Sequence, residues 1–152
     1  FMEVSDQGGA TDFDTSLGVD VLTIRALEVL NSINYGSIGI NENTGTYNPT
    51  VTIENFGNEA IDVQVAGTSM TDGAASTIPA SQQRFATSTF DYDVCTECQT
   101  LSELGTNLEV DLSKPTTTTP ATTDEIYWGI EVPFGIASNP HNGVNTFTAI
   151  SD

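Results

Sequence analysis

Thr50-Val51-Thr52-Ile53-Glu54-Asn55-Phe56-Gly57-Asn58-Glu59-Ala60-Ile61-Asp62-Val63-Gln64-Val65 is the stretch that decides the fold class. Val51 and Ile53 alternate with Thr50, Thr52 and Glu54, and Ile61, Val63 and Val65 alternate with Asp62 and Gln64. Successive side chains of a strand point to opposite faces, so this period gives each run one buried face and one wet face. Asn55-Phe56-Gly57-Asn58 has the residues of a turn, and the whole reads as a hairpin.

Toward the C-terminus the same alternation recurs. Leu108, Val110 and Leu112 predict one strand, and Ile126, Trp128, Ile130 and Val132 predict another that closes at Pro133. Val144 to Ile150 gives the last, reached through the loop 134–143. Ile78-Pro79 and Arg84 to Tyr92 supply a further strand between, with Phe85 and Phe90 as core aromatics. Toward the N-terminus, Leu17 to Tyr35 carries Val19, Val21, Leu22, Ile24, Ala26, Leu27, Val29, Leu30 and Ile33 at a spacing that suits strand or helix. Its β-branched content and the Tyr35-Gly36-Ser37 turn favour two strands, although Leu22, Ala26, Val29, Leu30 and Ile33 would also line one helical face. Roughly seven or eight short strands with polar turns predict an all-β, two-sheet antiparallel sandwich of immunoglobulin-like or jelly-roll type. One sandwich domain fits residues 17–152. Residues 1–16, rich in Gly and Asp, read as an extended N-terminal arm.

Composition narrows the partners. Three basic residues, Arg25, Arg84 and Lys114, face 21 acidic ones for a formal net charge of -18. Nucleic acid and anionic membrane surfaces would be repelled. Charged residues make up only 16% of the chain, so neutral Thr, Ser, Asn and Gly must build most of the surface, as they do on strands and turns. Such a surface suits high salt or divalent cations, and equally an ordinary acidic secreted protein. No apolar run approaches the roughly 20 residues that span a bilayer, so no embedded segment is expected. The chain begins with Phe1 rather than Met, which reads as a product of leader removal and points to an extracellular or cell-surface location.

Few residues suggest chemistry. Cys95-Thr96-Glu97-Cys98 has CxxC spacing, open to a disulfide, a redox pair or part of a zinc site. No helix N-terminus is predicted to activate a redox thiol, and zinc would find only these cysteines and His141, so a local disulfide is preferred, with free thiols next. Acidic pairs at Asp12 and Asp14 and at Asp124 and Glu125, and the trio Asp91, Asp93 and Glu97, read first as solvated charge. The trio is the calcium candidate, although no EF-hand spacing is present. His141, the one histidine, lies in a turn-like stretch and reads as a loop side chain. Trp128 with Tyr127 could stack on sugars, but Trp128 shares its face with Ile126, Ile130 and Val132 and reads as core. The run Lys114-Pro115-Thr116-Thr117-Thr118-Thr119-Pro120 is an exposed connection first, with Thr116, Thr117, Thr118 and Thr119 as candidate glycosylation sites. No catalytic constellation is present, no cofactor is expected, and the chain reads as a non-enzyme.

Ile33-Asn34-Tyr35-Gly36-Ser37-Ile38, then Thr50 to Asn58, then Ile61 to Val65, resembles the core of secreted prokaryotic sandwich proteins, namely TasA/camelysin-like biofilm-fibre subunits and related archaeal pilins. The span from Ile126 to Pro133 with Gly143 to Ala149 is similar to their closing hairpin. The resemblance implies a structural subunit of an extracellular filament, a pilus or biofilm fibre, or of a surface coat. Identical subunits would polymerise by donor-strand complementation, the arm of one completing the sheet of the next. The arm residues implied as contacts are Phe1, Met2, Val4 and Phe13, and deleting residues 1–16 is then expected to leave a folded monomer. The alternative is a monomeric cell-surface adhesion or ligand-binding module, with or without dependence on calcium, with cations or glycans as candidate surface partners.

Overall fold

The computed structural model describes residues 18–116 and 121–152 in full, together with the backbone of residues 2–5 and 11–14. The chain forms thirteen described strands: β1 (Met2–Ser5), β2 (Thr11–Asp14), β3 (Leu27–Val29), β4 (Glu42–Asn43), β5 (Thr50–Asn55), β6 (Ile61–Gly67), β7 (Met70–Thr71), β8 (Thr77–Ile78), β9 (Gln83–Ala86), β10 (Gln99–Thr100), β11 (Thr106–Leu112), β12 (Thr123–Val132) and β13 (Asn145–Ser151). One sheet runs β10-β9-β12-β5-β3, with β4 on the far end of β12; the other runs β11-β6-β13. Every pairing is antiparallel. The molecule is the all-β sandwich that the alternation predicts.

The core lies between these sheets. Val51 and Ile53 of β5, Phe85 of β9 and Ile126 and Trp128 of β12 face Ile61, Val63 and Val65 of β6 and Leu108, Val110 and Leu112 of β11. Burying each of these side chains contributes roughly 1.5–3 kcal/mol, which is why strict alternation on β5, β6 and β11 suffices to fix the faces. Trp128 packs on Phe85 at 5.1 Å between ring centroids and meets Phe147 edge-on at 6.1 Å.

Three expectations change. The stretch 50–65 is not a hairpin, because β5 pairs with β12 and β3 while β6 pairs with β11 and β13. Residues 56–60 are a corner that carries the chain from one sheet to the other. Asn55, fully buried, pins that corner: its Nδ2 donates to the carbonyls of Glu59, Leu112 and Ser113, and its Oδ1 accepts from the Gly57 N–H. Gly57 tolerates no side chain, since a Cβ there would sit 2.3 Å from the Ile24 carbonyl oxygen.

Of the two strands expected over 17–35, only Leu27–Val29 forms in the described residues. No helix forms there either. The strand expected over 84–92 stops at Ala86, and Phe90 instead turns in against Gly129 of β12, its N–H held by Asn48 Oδ1. In the N-terminal arm, β1 and β2 pair with each other, Met2 opposite Asp14 and Val4 opposite Asp12.

Candidate functional site

Six strands in one sheet, five of them side by side and β4 at the end of β12, face three in the other, and the mismatch leaves one side of the sandwich open. There the larger sheet ends in β3, whose one strand neighbour among the described residues is β5, and the smaller ends in β13, whose one such neighbour is β6. An end strand leaves alternate N–H and C=O groups without a ladder partner, a template for another strand. Between the two edges runs a cleft of about 430 Å³, lined by Val29, Ile33, Val51, Val144 and Phe147 with Tyr35 and Gln83. Phe147 and Ala149 point into the core from β13 yet are only half-buried.

Asn31, Ser32, Tyr35, Gln83 and Asn145 bring polar groups to the cleft. Gln83 is 2% exposed; its Oε1 accepts from the Tyr35 hydroxyl at 3.0 Å, and its Nε2 has no partner among the described residues. The Trp128 indole N–H, on the same face of the sheet, is likewise unpartnered. Burial pushes the Tyr35 phenol far above the usual tyrosine range, with the nearby Tyr92 adding to the shift.

The residues singled out in the sequence do not gather here. Cys95 and Cys98 are joined in a disulfide, closing the turn after β9. Asp91 caps that turn, its backbone carbonyl accepting from Cys95 N and its Oδ1 from Asp93 N, while Asp93 accepts from Asn43 Nδ2 at 2.7 Å. Asp91 thus caps the turn, Asp93 ties it to β4, and Glu97 is exposed. His141 has Nδ1 2.8 Å from the Asn139 carbonyl and Nε2 3.0 Å from Ser76 Oγ, so it ties the loop 138–143 to the loop 72–76. Tyr127 donates to Glu125, and Trp128 is fully buried. Of the arm residues, Met2 and Val4 lie in β1 and Phe13 in β2, and Phe1 falls outside the described residues. Thr116 lies in the exposed connection after β11; Thr117, Thr118 and Thr119 fall outside the described residues.

One carboxylate group was missed. Asp62, Glu109 and Asp111 bring one oxygen each within 4.8 Å of one another. Asp62 is 3% exposed, and its Oδ1 accepts from the N–H groups of Val110 and Asp111 where β11 bulges, with Asp111 at φ 48. A bulge leaves ladder donors unmatched, and this carboxylate takes them. Its charge, ahead of a smaller desolvation effect, holds the Glu109 carboxyl above its ordinary value. Glu109 and Asp111 alternate with core residues and read as wet-face charge. The bulge that turns them toward Asp62 has no signature in the sequence.

No protein-family model matches the chain, and no curated protein is a significant match. The functional reading therefore rests on the molecule's own geometry. No helix among the described residues is long and apolar enough to cross a membrane. Among the described residues, β3 and β13 are end strands that flank a cleft of mixed lining, an arrangement that offers main-chain groups and side-chain pockets to an added strand.

Proposed function

We propose that this protein is a structural subunit of an extracellular filament, a pilus or biofilm fibre, or of a surface coat. Its copies join when residues ahead of β3 in one subunit add a strand to the open side of the next. The observation that supports this reading is the open side itself, where β3 and β13 end their sheets beside a cleft lined by Val29, Val51 and Phe147. Main-chain pairing supplies affinity without a cofactor, and a head-to-tail contact that does not close builds a fibre. The function asks for no catalysis.

Negative-stain microscopy of the purified chain, beside a truncation lacking residues 1–21, tests the proposal. Fibres are expected for the full chain and dispersed, folded particles for the truncation. Dispersed particles for the full chain, which the monomeric adhesion reading requires, or fibres that survive the truncation, overturn it.

A further inference from the structure

Gly18-Val19-Asp20-Val21-Leu22-Thr23-Ile24 is rich in β-branched residues, yet it belongs to no strand of its own subunit. Val19, Val21 and Leu22 are 87%, 79% and 80% exposed, and Ile24 is 57% exposed. Val19 and Val21 stand two apart, as the pegs of a strand must. The β5–β6 corner clasps one end of the segment. Asn58 Nδ2 donates to the Leu22 carbonyl, Asn58 Oδ1 accepts from Ile24 N, and Asn58 N donates to the Ile24 carbonyl. With Phe56 N donating to the Ala26 carbonyl, these bonds continue the line of β3 past the corner.

The register places the segment and the cleft at opposite poles. Ser151 pairs with Ile61 next to the corner, and Asn145 pairs with Gly67 at the other end of β6. The cleft is lined by Gly143, Val144 and Asn145, so it opens at the Gly67 end. Seven residues of β6 separate the poles by about 20 Å at roughly 3.3 Å per residue.

We propose that the joining strand is Gly18–Ile24 of one copy and that its receptor is the β3/β13 cleft of a second copy. This rests on the filament reading and places its joint. This donor lies outside the arm that the resemblance implied, where β1 and β2 pair with each other. Val19 and Val21 enter the slot among Val29, Val51, Val144 and Phe147, and an oxygen of the incoming strand supplies the acceptor that Gln83 Nε2 lacks. Identical subunits linked pole to pole make a heterologous contact, which builds a fibre wherever its rotation does not close into a ring.

Association is measured by sedimentation for the full chain, for the deletion of residues 1–16, for Val19→Asp/Val21→Asp and for Val144→Asp at the cleft rim. The deletion is expected to associate as the full chain does. The two substituted chains should lose at least tenfold in affinity, about 1.4 kcal/mol, with unchanged melting temperatures because the altered side chains are exposed. Val21→Cys mixed with Val144→Cys should cross-link as a heterodimer under mild oxidation, and neither alone should form a ladder. Loss of association in the deletion with retention in Val19→Asp/Val21→Asp overturns the donor assignment and leaves the filament reading standing. Closed dimers that depend on Val19 and Val21 keep the assignment and refute the filament. A full chain that stays monomeric refutes both.

Discussion

Replacing Asn55 by Ala tests whether the corner between the sheets is held by one side chain. Its Nδ2 reaches three carbonyl oxygens, Glu59 at 2.9 Å, Leu112 at 3.1 Å and Ser113 at 3.2 Å, with two hydrogens to share among them. Its Oδ1 accepts from the buried Gly57 N–H at 2.8 Å. Ala removes two donated bonds and one accepted bond, each worth about 1 kcal/mol net, and strands groups that water cannot reach. The expected loss is about 3 kcal/mol, or a fall in Tm of about 6–12 °C for a domain of this length. Urea unfolding followed by Trp128 fluorescence reads it directly, since the single tryptophan is buried against Phe85 and Phe147. Asn58→Ala is the control: it sits in the same turn but bonds only exposed backbone at Leu22 and Ile24, and should cost about 1 kcal/mol or less. A loss below about 1 kcal/mol for Asn55→Ala at unchanged m would refute the argument that Asn55 holds the corner.

Three further predictions concern ionisable groups. Asp62→Ala should cost about 2–3 kcal/mol by leaving the Val110 and Asp111 N–H groups unmatched, measured by the same unfolding curves. Asp62→Asn should bring the Glu109 midpoint, followed by NMR titration, down toward the free-glutamate value. A Glu109 carboxyl raised in the folded state favours folding below its unfolded pKa, and that contribution disappears as pH rises through the folded value. Unchanged titration of Glu109 in Asp62→Asn would show that the shift has another source. For Tyr35, whose phenol is pushed up by burial, stability should fall as pH rises past the ordinary tyrosine range, because only the unfolded chain can ionise there. Tyr35→Phe should flatten that alkaline loss; a curve identical to the parent's would remove Tyr35 as its cause.

How far the fold could be read from sequence follows from what alternation encodes. Period two states which face of β5, β6, β11 and β12 is apolar, and Val51, Ile53, Ile61, Val63, Leu108 and Trp128 are all in the core. It does not state which strand lies alongside. Five residues, 56–60, can close a hairpin about 4.8 Å wide or cross the roughly 10 Å between sheets, and the choice lies in long-range partners: the ladders of β5 with β12 and of β6 with β11 and β13, and the Asn55 contacts to Leu112 and Ser113, 57 and 58 residues away. The segment 18–24 was legible as β-prone, but strand formation needs a ladder partner, and among the described residues its bonds run to Asn58. The cleft was not legible at all. Tyr35 and Gln83 meet across 48 residues, and an open edge is a property of the strand order rather than of any local run.

The scarcity of cations has a consequence for wear. A protease that cuts after Lys or Arg has three addresses on this chain, and Lys114 is followed by Pro115, a bond such enzymes leave alone. Arg84 is locked in β9, its guanidinium donating to the Tyr92 carbonyl and lying 4.4 Å over that ring. That leaves Arg25, 44% exposed and paired with Glu59 at 3.2 Å, one residue beyond Ile24. A cut there would release residues 1–25, the proposed joining strand among them, and leave both sheets of the sandwich intact, so a protease of this specificity is expected to act first at the proposed joint.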